Sequence, residues 1–327
     1  MQRCGCTMGS VSSSVFLAAF VALFLGIQSN AQSNTTQSNT TSGQQPGSQS
    51  CCSAQIAGPT LPASASELVR QVIENELKQT PSDEKDFYVV RRLTPSGEQT
   101  KEYVETDEGA IGRPIAINDQ PLTAQQQEKE DARLQKQAAD PEFLKKLRKE
   151  QKEEEEHINK IVKAMPDAFI FEYDGREDSA QYGQLVRIRF KPNPNFNPPN
   201  RETQVYHGME GTMLINNAEK RLVKIVAKLT QEVNFGWGIF GHLDKGGEFE
   251  VEQSKIGPHR QGVCMLKMRL TGRVLLFKKL NIDEKEITGS FRPAPLHLTL
   301  AEAVEVLKQQ NTQLAVQQSG DSKAPAK

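Results

Sequence analysis

Apolar residues recur at intervals of three and four between residues 64 and 78: Leu68, Val69, Val72, Ile73 and Leu77. Side chains at this spacing lie on one face of a helix. Ser64 and Glu67 stand at the start of the pattern in the arrangement of a capping box, which satisfies the first free amides of a helix. The sequence therefore predicts a helix over 64–78 that buries a single apolar stripe.

Two short β patterns follow, over 86–93 and 98–105, on either side of Thr94-Pro95-Ser96-Gly97. Proline pre-sets the backbone of a turn, and glycine tolerates positive φ, so the two segments are predicted to form a hairpin. A third short strand is predicted at about 113–118.

The segment 123–164 interrupts the β pattern with helix signals. Thr123 and Gln126 form a second capping box, and Asp140 precedes a proline at the first helical position. Two helices are predicted, over 123–138 and 141–164. The second keeps heptad spacing, but polar residues occupy two central positions, so we expect packing by the ends around a solvated middle rather than a coiled coil.

From 168 to 292 the pattern changes to a period of two, which is typical of strands with one buried face. Short turns such as 244–247 connect the strands without helices, which predicts an antiparallel meander. One long strand is predicted to carry eight apolar residues on one face, and five of these are candidates for lining a ligand space: Val223, Ile225, Phe235, Trp237 and Ile239. A long one-sided sheet must curl, and a last helix is predicted at about 300–310.

The predicted fold is α+β: a curved antiparallel β-meander, or incomplete β-barrel, with an N-terminal helix and an inserted helical segment. We expect one domain over 64–310, with the helical insert at 123–164. A linker over 32–63, in which QSNTT repeats, and a tail over 311–327 have too few apolar residues to fold and are predicted to be disordered.

The first 31 residues have the order of a signal peptide. An apolar run at 15–27 is too short to span a bilayer, and Ser29 and Ala31 supply the small side chains of a cleavage site. We expect cleavage after Ala31 and a mature protein in a bacterial periplasm or outside the cell, with no transmembrane span. The alternative is an uncleaved membrane anchor.

Charge and cysteine content narrow the choice of partners. The chain has 40 basic and 41 acidic residues, so it offers no basic field for nucleic acid, and we expect no nucleic-acid partner. Cys51 and Cys52 in the linker are open to pairing with each other, with Cys264 or between chains. Cys264, in register with Leu266 in a period-two stretch, is predicted to be a buried, inert thiol. The oligomeric state is left open.

Catalytic motifs are absent from the sequence. The five histidines lack metal-ligand spacing, and no nucleophile elbow, P-loop or dinucleotide fingerprint is present. We therefore expect a non-enzymatic protein with no cofactor and no metal. An unrecognised hydrolase ranks last among the hypotheses.

Two segments carry a resemblance to a known family. The segment 208–225 (GMEGTMLINNAEKRLVKI) resembles a hairpin of the LolA-like group of periplasmic lipoprotein carriers and lipid-binding envelope proteins, and 235–245 (FGWGIFGHLDK) fits the same group. The resemblance implies an incomplete β-barrel whose apolar concave face shelters acyl chains beneath helices. Asn216 departs from the aspartate that is more usual there.

Two functions from different classes remain. In the first, the protein binds an apolar ligand, such as a lipid, an acyl chain or a lipoprotein, against Val223, Ile225, Phe235, Trp237 and Ile239. In the second, it is a structural or protein-interaction component of the envelope, and its own side chains fill the concave face. The two differ in whether the sheet encloses a ligand space.

Overall fold

The structure, a computed structural model, describes five segments of the chain: residues 60–78, 84–235, 241–257, 260–274 and 278–309. Several sequence-based predictions lie outside these segments: the signal peptide at 1–31, the linker as far as residue 59, the tail at 311–327, Cys51, Cys52, Trp237 and Ile239. No helix within the described segments is long and apolar enough to span a bilayer.

The helices begin where their caps predict. They are α1 Ala65–Leu77, α2 Ala124–Ala138, α3 Pro141–Ala168, the 3₁₀ helix Glu202–Gly208, and α4, described over residues 300–309. Ser64 Oγ accepts the Glu67 amide at 3.1 Å, and Thr123 forms a complete capping box with Gln126. Helix α3 continues through Pro166 and ends at Ala168, four residues beyond the predicted end at 164.

Thirteen strands form one sheet within the described residues. They are β1 Asp86–Thr94, β2 Gly97–Thr106, β3 Gly109–Ile117, β4 Gln120–Pro121, β5 Phe169–Ser179, β6 Gly183–Pro192, β7 Met209–Asn216, β8 Arg221–Leu229, β9 Val233–Phe235, β10 Gly241–Leu243, β11 Glu248–Lys255, β12 Gln261–Val274 and β13 Lys278–Pro293. Every pairing is antiparallel, as the short connections predict.

The strand order is β4-β3-β2-β1-β13-β12-β11-β8-β7-β6-β5, with β10 paired to β12 and β9 paired to β10. The described sheet is curved and does not close, because β4 and β5 remain its two ends. The fold is therefore α+β with a curved antiparallel sheet. The C-terminal hairpin β12–β13 joins the first four strands to the later meander.

The single long strand predicted through 223–239 is wrong. Strand β8 ends at Leu229, and β9 begins only at Val233. Thr230 leaves the ladder because its amide donates to the Gly208 carbonyl at 2.8 Å and its hydroxyl donates to the same oxygen at 3.2 Å. The chain then folds back through the short β9–β10 pair.

The main core lies on one face of the sheet, which we call the inner face. Strands β5 to β8, β11 and β12 contribute apolar side chains to this core, and α1 together with the last third of α3 packs against them. From α1 the buried residues are Ala65, Leu68, Val69, Val72 and Ile73, which is the predicted apolar stripe with Leu77 at its margin.

A second, smaller core lies on the opposite, outer face of the first strands. Phe87, Val104 and Ile111 of β1 to β3 pack there against Leu134 of α2 and against α4. Helix α3 reaches both cores, through Leu147 near its start and through residues 158–168 near its end. The predicted packing by the two ends is confirmed, but the predicted solvated middle is not uniform, because Glu154 there is partly buried.

Candidate functional site

The structure separates the five apolar residues that were predicted to share one face. Ile225 and Phe235 are buried in the main core, at 4% and 3% exposure. Val223 is only half-buried, and Trp237 and Ile239 lie outside the described residues. The role of these residues in lining a ligand space stays a prediction.

A β-bulge explains the position of Val223. Leu214 pairs with Lys224 and Ile215 pairs with Leu222, so Val223 has no partner in β7. An extra residue in one strand shifts the alternation by one, and Leu222 becomes the buried residue instead. The predicted position of Val223 on the inner face is corrected by this bulge.

A second bulge moves Cys264 out of its predicted register. Glu252 pairs with Met265 and Gln253 pairs with Val263, which leaves Cys264 between them. Its thiol is half-buried, and Sγ donates to the Glu252 carbonyl at 3.4 Å. Burial raises the pKa of this thiol, which disfavours the reactive thiolate.

The inner face continues beyond the main core onto the first strands, where its character changes. Residues directly opposite in an antiparallel ladder lie on the same face. Leu266 of the core pairs with Glu286, Glu286 pairs with Arg92, and Arg92 pairs with Gln99. Alternation along β2 then places Lys101 and Tyr103 on the inner face as well.

A cleft of about 300 Å³ opens between these strands and the helices α2 and α3. Its lining residues are Gln99, Lys101, Tyr103, Ala110, Ile111, Gly112, Pro114, Glu130, Arg133, Gln137, Phe143, Lys146, Leu147 and Glu150. We call this site the cleft. Its size falls at the lower end of small-molecule sites, and its lining combines apolar walls with a few charged groups, as such sites usually do.

Aromatic packing fixes the floor of the cleft. The Tyr103 ring stacks on the buried Tyr88 ring with 5.3 Å between centroids and 6° between planes. Gly112 lies opposite Tyr103, and a Cβ at this position would come within 2.4 Å of the ring. A side chain at residue 112 would clash with this ring, so the close approach of the two strands requires glycine. Burial raises the pKa of Tyr103 to about 12, so the phenol stays neutral.

Most charges in the cleft are paired. Arg133 Nε donates to Glu130 at 2.6 Å, and Lys146 lies 3.5 Å from Glu150 one helical turn away. Lys101 differs, because no carboxylate among the described residues lies within ion-pair distance of its Nζ. The pKa of Lys101 is lowered by burial first, and then by repulsion from Arg133 and Arg92.

Other titratable side chains are partly buried, both at the junction between the cleft and the main core and elsewhere. Arg92 forms ion pairs with Glu284 and, at 3.5 Å, with Glu286. Burial raises the pKa of Glu286 despite this arginine. Burial also raises the pKa of Glu105 on β2, and that of Glu154 in the middle of α3, to about 7 in each case.

A larger depression of about 720 Å³ lies on the outer face around Gly211. Its four basic lining residues all have ion-pair partners; for example, Arg189 lies 2.7 Å from Asp174, and Lys228 lies 3.4 Å from Glu210. These cross-strand pairs are exposed and contribute little energy each. We regard this face as solvated, and the cleft as the better candidate site.

Three residues of types that bind metals lie close together in the structure, although their spacing in the sequence did not indicate a metal site. Glu232, His242 and Asp244 bring one donor atom each within 4.8 Å of one another, and His242 Nε2 lies 3.3 Å from Asp244 Oδ1. The β9–β10 pairing creates this proximity, since His242 lies opposite Asn234. The alternation of His242 with Asp244 was visible in the sequence, but the partner strand was not.

Comparisons with known proteins add little to this site. No protein-family model matches the chain, and no curated protein matches its sequence. A crystal structure of a DUF1329 family protein from Desulfovibrio piger covers 70% of this chain and 91% of its own, with 8% identity and a TM-score of 0.23. Such a low score carries no argument, and the LolA-like resemblance stays a prediction.

Proposed function

We propose that this chain is an exported, non-enzymatic envelope protein that binds an apolar ligand, such as a lipid or an acyl chain, on the inner side of its curved sheet. The cleft carries this proposal. Its wall at Lys101 and Tyr103 belongs to the inner face, and Tyr103, Pro114, Phe143 and Leu147 make its walls apolar. Each methylene that leaves water for such walls contributes about 0.8 kcal/mol.

The cleft, rather than the main core, is the entry point in this proposal. The apolar inner face at Ile225 and Phe235 is already covered by side chains of α1 and α3. A ligand would have to displace those helices to reach it, whereas the cleft is open. A longer chain would extend from the cleft along the inner face toward Met268, which pairs with Glu284 at the junction.

Titration with the neutral fluorescent probe N-phenyl-1-naphthylamine tests the proposal. Gln137 lies at the cleft on α2, and Gln137→Phe should fill it and weaken probe binding about tenfold or more. Gln125→Phe is the matched control, because Gln125 is exposed on the same helix outside the cleft. Equal binding by both variants, or no saturable binding by the natural protein, would refute the proposal.

Export is a separate part of the proposal and rests on the apolar run at 15–27 with Ser29 and Ala31. Amino-terminal sequencing of protein from the envelope fraction should begin at Gln32. Protein that starts at Met1 and remains in the membrane pellet would support the anchor instead.

One observation favours the structural or protein-interaction alternative. The apolar inner face is filled by the protein's own residues, with Leu68, Ile188 and Ile215 all fully buried. A core filled in this way needs no ligand for stability. Mass spectrometry of protein purified from its native envelope would separate the two functions, because only the binding function predicts a co-purified lipid.

A further inference from the structure

We infer that Lys101 forms an anion subsite in the cleft, and that the ligand is an amphiphile whose acid group binds there. This inference rests on the proposed function and names the class of its ligand. The acid is a carboxylate or a phosphate monoester, and the apolar part of the molecule lies against Tyr103, Phe143 and Leu147.

The charge balance of the cleft is the first argument. Three basic and two acidic side chains line it. Glu130 forms an ion pair with Arg133 at 2.6 Å, and Glu150 forms one with Lys146 at 3.5 Å. One positive charge is left over, and it belongs to Lys101, which has no ion-pair partner in the described parts of the chain.

The surroundings of Lys101 are the second argument. Arg133 and Arg92 repel its ammonium group, whereas Glu130 and Glu286 attract it, but each of these carboxylates is already ion-paired with one of the two arginines. Lys101 is half-buried, and an anion that enters is screened less there than at the surface. A half-buried lysine that has no carboxylate partner of its own is unfavourable for the empty protein, and a bound acid would supply that partner.

The third argument is the position of Lys101 relative to the walls. On β2 it stands two residues before Tyr103, on the same face, and opposite Pro114 of β3. Tyr103 and Pro114 thus flank Lys101 on the strands that line the cleft, and Phe143 and Leu147 line the same cleft from α3. An amphiphile with an acid group at one end fits this arrangement, because its charge would lie at Lys101 and its apolar chain would lie against these walls.

Calorimetric titration with dodecanoate and 1-dodecanol, both below the micellar range, tests the inference. The natural protein should bind dodecanoate at least about tenfold more tightly, as expected for one charge-assisted hydrogen bond. Lys101→Gln should remove this preference, so that dodecanoate binds no more tightly than dodecanol, whereas Lys101→Arg should retain it. Lys149→Gln is the control, since Lys149 lies on α3 outside the cleft, 3.6 Å from Glu153, and is largely exposed.

Each outcome decides between the proposals. Equal affinity of the natural protein for the two compounds, or a preference that survives in Lys101→Gln, would overturn the anion subsite while leaving the apolar ligand in place. Absence of binding to both compounds would overturn the proposed function and the inference together. Acetate or inorganic phosphate binding as tightly as dodecanoate would show a free-anion site and no amphiphile. Circular dichroism confirms that each variant is folded.

Discussion

Along the inner face, strands β6, β7 and β12 place Ile188, Met213 and Met268 in the main core, whereas β1, β2 and β13 place Arg92, Lys101 and Glu286 in the cleft or at its junction with that core. We call these regions the apolar half and the polar half. One continuous ladder joins them, and in the apolar half packed apolar side chains fill most inward positions. In the polar half burial is incomplete and charges face inward.

The difference shows what each region is built for. Inward apolar residues stabilise the fold in proportion to the area that they remove from water. Inward charges cost free energy unless they are paired, so a region that keeps them gives up stability for another property. The apolar half therefore holds the fold together, and the polar half is where binding is expected. The following predictions test this division.

The largest effect is expected in the apolar half. Ile188 is fully buried, and Ile188→Ala should lower the free energy of unfolding by about 2 to 5 kcal/mol through lost burial and the cavity left behind. Urea denaturation measures the change, with Val226→Ala as the control on the outer face, where 38% of Val226 is exposed. A loss below that of the control would mean that Ile188 does not belong to a packed core.

A pH-dependent effect is expected from the polar half. The pKa of Glu105 is raised from 4.5 to about 7 by burial, so between these pH values the folded state keeps a proton that the unfolded state has lost. Unfolding then releases protons, and the free energy of unfolding falls as pH rises through this window. The fall is at most on the order of 3 kcal/mol for this carboxyl.

Denaturation at several pH values between 4.5 and 7.5 checks this slope, and Glu105→Gln should flatten it because the amide has no proton to lose. Glu154, whose pKa is also raised to about 7, and Glu286, whose pKa is raised by burial, contribute to the remainder. The loss caused by Ile188→Ala should not change over the same range. A slope identical in Glu105→Gln and the natural protein would contradict the assigned burial of Glu105.

A smaller steric effect is expected on the floor of the cleft. Gly112→Ala would place a Cβ within 2.4 Å of the Tyr103 ring, whose other side rests on Tyr88. The ring must shift, which should cost about 1 to 3 kcal/mol and narrow the cleft. Thermal unfolding measures this cost, and the double variant Gly112→Ala with Tyr103→Leu should recover part of it. No recovery would place the strain elsewhere.

The sequence predicted the elements well wherever local signals marked their ends. The Thr123 capping box, the Asp140-Pro141 start and the Pro95-to-Gly97 turn all lie where they were expected. These features depend on neighbouring residues only, so one chain segment contains the whole signal. The antiparallel connectivity follows for the same reason, from short turns without intervening helices.

Long-range features were not predictable in this way. The bulges at Val223 and Cys264 arise from the register with a partner strand, so period-two counting through them selected Val223 instead of Leu222 and Cys264 instead of Val263. The cleft was missed because it joins β2 and β3 to α2 and α3. The alternation of Gln99, Lys101 and Tyr103 was a visible signal, but only the ladder from Leu266 through Arg92 shows which face they share.

The smallest stability effect is expected at Lys101, and its sign is informative. Lys101→Met removes a half-buried ammonium group that has no ion-pair partner in the described residues and that is repelled by Arg92 and Arg133. The methionine stem fills similar space, so the free energy of unfolding should stay constant or rise by about 1 kcal/mol at pH 7. Lys224→Met is the control, because Lys224 lies 2.6 Å from both Glu250 and Glu252 and its loss should destabilise the protein.

A lysine whose removal stabilises the protein is kept for a reason other than folding, which is what an anion subsite requires. If Lys101→Met destabilises the protein as much as Lys224→Met does, Lys101 is a structural residue, and the division between the two halves fails at this position.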